Sequence, residues 1–188
     1  MAVGHFNGDK YLDLALAFSA VNTDSIQVFF GNGDGTFKPP QRIPGGGQSS
    51  FITQYDMNGD NMADLIVSNT TKDSLTLFLG NGKGDFQKMP DFAGERGPGS
   101  FVAGEFTGDK ILDLVVCNQD GSISVLEGKG DGSFIFPHYN YPVGRHPGNI
   151  VTADFNRDGL TDLALLSPDN GLLEIIMRKT GVAGTEDN

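Results

Sequence analysis

The chain has 188 residues, enough for one domain with a hydrophobic core, and its hydrophobic fraction of 38% is low but still typical of a globular protein. The formal net charge of −11, from 24 acidic against 13 basic residues, makes most of the surface repel nucleic-acid phosphates and anionic membranes. No apolar stretch has membrane-spanning length. We therefore expect no nucleic-acid partner and no membrane insertion. The 27 glycines, with 14 phenylalanines and no tryptophan, favour short strands joined by tight turns.

One polar loop recurs four times along the chain, each time followed by an apolar run. The copies read HFNGDKYLDLAL from residue 5, DMNGDNMADLIV from 56, EFTGDKILDLVV from 105 and DFNRDGLTDLAL from 154, so successive copies start 51, 49 and 49 residues apart. A glycine-rich marker keeps the same spacing, as GNGDGTF at 31–37, GNGKGDF at 80–86 and GKGDGSF at 128–134. Two independent markers with one period indicate an internally repeated fold.

The segments between these markers predict about four short strands in each repeat. In chain order the clearest runs are 12–18, 25–30, 74–80 and 122–128. The run after each polar loop is almost continuously apolar, as expected of a strand covered on both faces by neighbouring sheets. This pattern predicts an all-β fold, a β-propeller of about four four-stranded antiparallel blades. Helical repeats are excluded because the helical period is missing.

We expect a single β-propeller over residues 1–177 and a polar C-terminal tail over residues 178–188. The fourth repeat has no glycine-rich marker after its last apolar run. A partial propeller, either a fragment of a longer one or an open arc, is therefore favoured over a closed four-blade ring. An open arc leaves sheet faces and edges uncovered, which predicts either self-association or further blades from missing sequence.

The polar loop of the second repeat carries oxygen ligands at alternate positions. The side chains of Asp56, Asn58, Asp60 and Asp64 stand at its first, third, fifth and ninth positions, and the Met62 carbonyl stands at the seventh. A tight turn places every second side chain inward, and a hard divalent cation fits such a set, so Ca²⁺ is the expected cofactor. An EF-hand is excluded because it needs flanking helices and a glutamate at the twelfth position, where these repeats have Leu16, Val67, Val116 and Leu165.

The loop D-x-N-x-D-G-x-x-D-L followed by G-N-G-D-G-x-F resembles the FG-GAP or VCBS repeat, the blade of integrin alpha-subunit heads and of many bacterial secreted proteins, over essentially the whole chain. The resemblance implies that the loop joins the first two strands of a blade and holds calcium, while ligands or partner proteins bind elsewhere on the propeller faces. It also implies an extracellular or cell-surface location. For the last repeat it implies the ligands Asp154, Asn156, Asp158, the Leu160 carbonyl and Asp162.

The four loops are not expected to bind calcium equally. Only the fourth has a glycine, Gly159, at the sixth position, where we expect a left-handed backbone. Asn61 tolerates that conformation, whereas Lys10 and Lys110 would cost about 1 kcal/mol there and bring a positive charge near the cation. Weaker sites are expected in the third loop, with Glu105, Thr107, Asp109, the Ile111 carbonyl and Asp113, and in the first, with His5 followed by Asn7, Asp9, the Tyr11 carbonyl and Asp13.

Together these observations predict a non-catalytic, calcium-binding module for adhesion or for recognition of a protein or carbohydrate. The alternative is the propeller part of a secreted, calcium-dependent polysaccharide-acting enzyme, and a structural spacer is a third reading. No catalytic constellation is visible, since the three histidines are scattered and no G-x-S-x-G occurs. Candidates for a ligand surface, or for scaffold, are His138, Tyr139, Tyr141, Arg145 and His146.

Overall fold

The computed structural model describes residues 1–18, 25–45, 49–93, 95–135, 139–144, 146–169 and 171–179. Every regular element among them is a β-strand, which confirms the predicted all-β class. Within these ranges no helix is long and apolar enough to cross a membrane. The strands are β1 (Ala2–Gly4), β2 (Asp13–Leu16), β3 (Ser25–Phe29), β4 (Gln41–Pro44), β5 (Ser49–Tyr55), β6 (Asp64–Asn69), β7 (Ser74–Gly80), β8 (Phe86–Lys88), β9 (Phe92–Ala93), β10 (Pro98–Gly104), β11 (Asp113–Asn118), β12 (Ser122–Leu126), β13 (Tyr139–Pro142), β14 (Asn149–Ala153), β15 (Asp162–Ser167) and β16 (Leu172–Ile176).

The strands form four antiparallel sheets in chain order, which we call blades one to four. Their strand orders are β1-β2-β3-β4, β5-β6-β7-β8, β10-β11-β12-β13 and β14-β15-β16. In blade two, β9 pairs with the start of β7 and β8 pairs with its end, so the two short strands share one outer edge. Each polar loop joins the first two strands of its blade, as the family resemblance implied. The arrangement is that of β-propeller blades.

The same register recurs in all four blades, counted from the aspartate at the ninth position of the loop. The residue after this aspartate is Leu14 in blade one, which pairs with Val3 and Phe29. In blade four it is Leu163, which pairs with Thr152 and Ile176. Because side chains alternate across a strand, each blade has a trailing face toward the preceding blade and a leading face toward the following one.

Three hydrophobic cores fill the spaces between successive blades. Each joins the leading face of one blade to the trailing face of the next: Ala15 and Val28 to Leu65 and Phe78, then Ile66 and Leu77 to Leu114 and Leu126, then Val115 and Ile123 to Leu163 and Leu165. Strands β6 and β11, which have a neighbouring blade on both faces, are buried along their whole length, as predicted.

The four blades form an open arc. The first strands of successive blades contact each other in the order β1, β5, β10 and β14, and no comparable contact joins β14 to β1 within the described residues. The second strands of the end blades are less buried than β6 and β11, because one face of each end blade has no neighbour in the described part of the chain: β2 is half-buried at alternate residues, and Leu166 of β15 is exposed. Of the predicted tail, residues 180–188 lie outside the described part of the chain.

Candidate metal loops

The polar loop of blade two is a tight turn held by its own side-chain oxygens. The Asp56 carboxylate accepts hydrogen bonds from the N–H groups of Asp60 (3.1 Å) and Asn61 (2.8 Å). Asn58 donates from Nδ2 to Asp60 Oδ2 (2.9 Å), and Asp60 Oδ1 accepts from the N–H of Met62 (2.8 Å). The side chains at the first, third and fifth positions therefore fold into one turn, which is where the alternating sequence pattern placed them.

The loop of blade four repeats these four hydrogen bonds, whereas the further bond from the Gly59 N–H to Asp56 (2.8 Å) has no counterpart at Arg157 among the described residues. Asp154 accepts from the N–H groups of Asp158 (3.1 Å) and Gly159 (2.9 Å). Asn156 donates from Nδ2 to Asp158 Oδ2 (2.8 Å), and Asp158 Oδ1 accepts from the N–H of Leu160 (2.8 Å). The two loops that the sequence ranks highest thus share one geometry, with solvent access to the side chains at the first, third and fifth positions.

The aspartate at the ninth position lies apart from that turn, fully buried in the blade. In blade two, Asp64 Oδ2 accepts from the N–H of Met57 in the loop (2.8 Å), and Oδ1 accepts from the N–H of Gly80 at the end of β7 (2.9 Å). Equivalent bonds hold Asp13, Asp113 and Asp162. Each carboxylate therefore ties its loop to the end of the third strand. An oxygen with one such bond keeps a second lone pair, so cation coordination by these aspartates stays a prediction.

Burial sets the protonation of Asp64. Removal from water raises the pKa of Asp64 to about 6, against the two backbone hydrogen bonds that lower it, and the nearby carboxylates of Asp60 and Asp56 raise it further. A bound cation would favour the ionised form of all three groups.

The loop of blade one replaces its first carboxylate with an imidazole. His5 Nδ1 lies 2.9 Å from the carbonyl oxygen of Tyr11, so with its proton on Nδ1 the ring donates to an oxygen that the sequence proposed as a ligand. Asn7 and Asp9 keep the bond seen in the other loops, with Asn7 Nδ2 donating to Asp9 Oδ2 (2.8 Å). The imidazole thus replaces a carboxylate ligand and competes with a cation for one of the two lone pairs of the Tyr11 carbonyl, and the low rank of this loop stays a prediction.

The loop of blade three is bound by an arginine from blade four. Arg178 donates from Nη1 to the Glu105 carboxylate (3.0 Å) and to the Glu105 carbonyl (2.7 Å), and its own N–H donates to Asp162. Desolvation raises the pKa of Glu105, but the N–H of Gly108 and the Arg178 guanidinium outweigh it and hold the pKa below its usual range. The sequence placed Arg178 in the tail, and only the packing of blade four on blade three reveals this contact.

The sixth loop position is left-handed in three of the four copies. The φ angles are 64° at Asn61, 71° at Lys110 and 84° at Gly159. Lys10 has no positive φ, so the cost expected there is wrong. Loop one also has His5 in place of the carboxylates of Asp56 and Asp154, which accept the N–H of the sixth residue in loops two and four.

The fourth loop position carries a strain that the ranking of the loops overlooked. It is a glycine with positive φ in three copies, Gly8, Gly59 and Gly108, but Arg157 in loop four, with a φ of 63°. A left-handed backbone costs an L-residue roughly 1–2 kcal/mol. Loop four thus gains a glycine at the sixth position and loses one at the fourth.

The donors in loops two and four fit calcium by their chemistry. In the described part of the chain no three His, Cys, Asp or Glu side chains group closely enough to hold a metal by themselves. Each loop instead combines two carboxylates with an asparagine amide, all hard oxygen donors of the kind that Ca²⁺ prefers. The residues that would hold it are Asp56, Asn58 and Asp60 in blade two, and Asp154, Asn156 and Asp158 in blade four.

A separate cleft of about 680 Å³ lies between blades three and four. Its walls are apolar, including Val125 and Leu163, with Tyr139, Tyr141 and Arg178 supplying polar groups. His146 lies away from this cleft with Nδ1 2.5 Å from Asp169 Oδ2. Two further candidates for a ligand surface, His138 and Arg145, fall outside the described residues. Of the three suggested residues that the structure describes, the cleft therefore brings together Tyr139 and Tyr141.

Solved structures share this fold at low sequence identity. The crystal structure of BBS1N in complex with ARL6DN, soaked with mercury, matches with a TM-score of 0.58 and 16% identity over 94% of this chain and 52% of that one. The lead-soaked crystal gives 0.60 and 16% over 93% and 55%. The Photorhabdus luminescens Tc holotoxin pore gives 0.50 and 17% over 88% and 8%. The chain thus spans about half of BBS1N, and these matches speak to fold alone.

Comparison of the sequence itself identifies the repeat. No curated protein matches the chain. The family model of the FG-GAP-like repeat matches residues 5–67, 56–116 and 105–165, three overlapping pairs of consecutive repeats. Each match begins at the first position of one polar loop and ends in the second strand of the next blade. The chain therefore belongs to the FG-GAP-like repeat family.

Proposed function

We propose that the chain is a calcium-stabilised, non-catalytic binding module of a secreted or surface-exposed protein. The observation that carries the proposal is the carboxylate at the first position of loops two and four, where Asp56 and Asp154 each accept the N–H groups of the fifth and sixth loop residues. Oxygen donors held ready in an accessible turn are what a hard cation requires. Such loops, with few charges per site, suit extracellular calcium levels, at which protein sites of low affinity are filled.

A calcium titration by isothermal calorimetry tests the metal sites. Two bound ions would change the formal net charge from −11 to −7, and we expect a higher melting temperature, because an ion that binds only the native state stabilises it. Asp158→Ala should abolish one site, while Asp9→Ala should leave the titration unchanged. An unaltered melting temperature in excess chelator, or equal losses in the two variants, would contradict the proposal.

For recognition, we propose that the cleft between blades three and four receives a protein or carbohydrate ligand. Its support is the combination of apolar walls with the exposed rings of Tyr139 and Tyr141 and the charge of Arg178, which is typical of ligand sites. A protein ligand is in keeping with the structural neighbour BBS1N, which was crystallised in complex with ARL6DN.

Glycan and protein arrays probed with and without calcium test this role. We expect binding that Tyr141→Ala removes and that Ile135→Ala, an exposed apolar control outside the cleft, retains. Arrays without any bound ligand would favour a structural spacer instead.

A further inference from the structure

Among the described residues, no blade covers the outer faces of the two end blades, and these faces match each other. By register, the leading face of blade four includes Val151, Ala164, Leu166, Leu173 and Ile175, with Asn149 as a polar member beside Leu166. Their counterparts in blade three include Val102, Cys117 and Ile123, which are buried against blade four. In blade four Leu173 is 65% exposed, whereas Ile123, its counterpart in blade three, is buried in the core between blades three and four.

The trailing face of blade one also carries apolar side chains that are exposed to solvent. Leu14, Leu16 and Phe29 are only half-buried, and Val3 is 43% exposed. The equivalent residues in blade two, among them Leu65 and Phe78, are fully buried against blade one.

A pair of aromatic residues links blades one and two, and each half of that pair recurs exposed at one end of the arc. Phe6, the second residue of loop one, is 1% exposed and packs edge-on against Phe86 of the next blade, with ring centroids 5.8 Å apart. The corresponding residue of loop four, Phe155, is 42% exposed, and the residue corresponding to Phe86 in blade one, Phe37, is 41% exposed. Phe37 packs edge-on against Phe29 of its own blade, with ring centroids 6.4 Å apart, and not against a neighbouring blade among the described residues.

The backbone next to these aromatic residues repeats the pattern. Gly84, in the corner of blade two, donates its N–H to the carbonyl of Phe6 in blade one (2.9 Å). A Cβ added at Gly84 would meet Phe30 of blade one at 2.8 Å. At Gly35, the equivalent corner residue of blade one, an added Cβ would meet nothing within 4 Å. The corner of blade one therefore has the geometry of an inter-blade contact without the neighbouring blade.

We propose that the leading face of blade four binds the trailing face of blade one in a second copy of this chain. Phe155 of one copy then packs against Phe37 of the other, as Phe6 packs against Phe86, and the Gly35 N–H donates to the Phe155 carbonyl. The second copy is the occupant because it carries the one described trailing face that is free, and this face is built like those in the three internal contacts. The interface is heterologous, and two copies that close on each other make eight blades, within the range of known propellers.

Sedimentation velocity and light scattering on the 188-residue chain, over a wide concentration range, test the proposal. We expect association that Leu173→Glu abolishes, because a charge is buried in the contact, and that Val3→Glu abolishes from the other side. Both side chains are exposed, so folding should survive, and circular dichroism checks it. Ile135→Glu places the same charge on an exposed apolar residue of blade three, away from both faces, and should associate like the wild type.

Mixing the two variants separates this contact from a symmetric one. Leu173→Glu chains keep an intact trailing face and Val3→Glu chains an intact leading face, so the mixture should regain one contact and form a heterodimer. A monomeric wild-type chain at all concentrations, which would leave the faces to further blades of a longer protein, overturns the proposal. So does a Val3→Glu chain that still associates by itself, because it would mean that leading faces bind each other.

Discussion

The buried aspartate of each loop is predicted to stabilise the fold whether or not a cation is bound. Asp113 tests this well because its loop is one of the two expected to bind calcium weakly. Its carboxylate accepts three backbone N–H groups, from Phe106 (2.8 Å), Thr107 (3.0 Å) and Gly128 (2.9 Å). Hydrogen bonds to charged groups contribute roughly 1.5–3 kcal/mol each, and removing one partner of a buried charged contact costs about 3–5 kcal/mol. We therefore expect Asp113→Ala to lower the free energy of unfolding by about 4 kcal/mol.

Asp113→Asn is the sharper variant because it keeps the size of the side chain. An amide has one acceptor oxygen and places an NH₂ group against at least one backbone N–H, so we expect a loss of about 3 kcal/mol. Urea unfolding followed by circular dichroism in chelator measures both values, and an unchanged m-value confirms that the native state stays compact. Asp109→Asn is the control, since Asp109 is exposed and, among the described residues, accepts a hydrogen bond only from the N–H of Ile111 in its own loop, so the change should cost less than about 1 kcal/mol. A loss that appears only when calcium is present would refute the structural role of Asp113.

Three further changes test strain, charge and protonation in the loops. Arg157→Gly should raise the free energy of unfolding by about 1 kcal/mol and Gly59→Arg should lower it similarly, because both positions have positive φ; urea unfolding measures both. Arg178→Met frees Glu105, so we expect a lower melting temperature in chelator and a larger rise on adding calcium. Since the pKa of Asp64 is about 6 in the native state and 3.8 otherwise, folding favours its protonated form. The free energy of unfolding of the calcium-free protein should thus fall by up to about 3 kcal/mol as pH rises from 4 to 7, because of this group. Calcium should reduce that fall. Urea unfolding at several pH values, with and without calcium, measures both effects.

The repeat period was sufficient to predict most of the fold. The run 74–80 is strand β7, Ser74–Gly80, and the polar loops join first to second strands as expected. These features are local, since turn chemistry and alternation depend on a few neighbouring residues. The contact of Arg178 with Glu105 depends on how one blade packs against another, which no local pattern encodes.

The structural role of the ninth-position aspartate has a signal in the sequence. The first loop position reads His5, Asp56, Glu105 and Asp154, whereas the ninth is aspartate in all four copies. A residue that is the same in all four loops, while the first-position ligand candidate varies, should have a role that all four loops share. In the structure that common requirement is a pair of backbone N–H groups, one in the loop and one at the end of the third strand.

Because the ninth-position aspartate holds the loop and the first position does not, all four loops have the same fold although only some have a carboxylate at the first position. The buried aspartate fixes the loop to its blade, so the turn keeps its shape when the first position changes. That position is then free to hold a carboxylate for a cation, as we propose for Asp56, or to be satisfied by the protein itself. His5 satisfies loop one by contacting the Tyr11 carbonyl, and Arg178 satisfies loop three by binding Glu105. Calcium removal should therefore weaken blades two and four most, while the blades themselves stay folded.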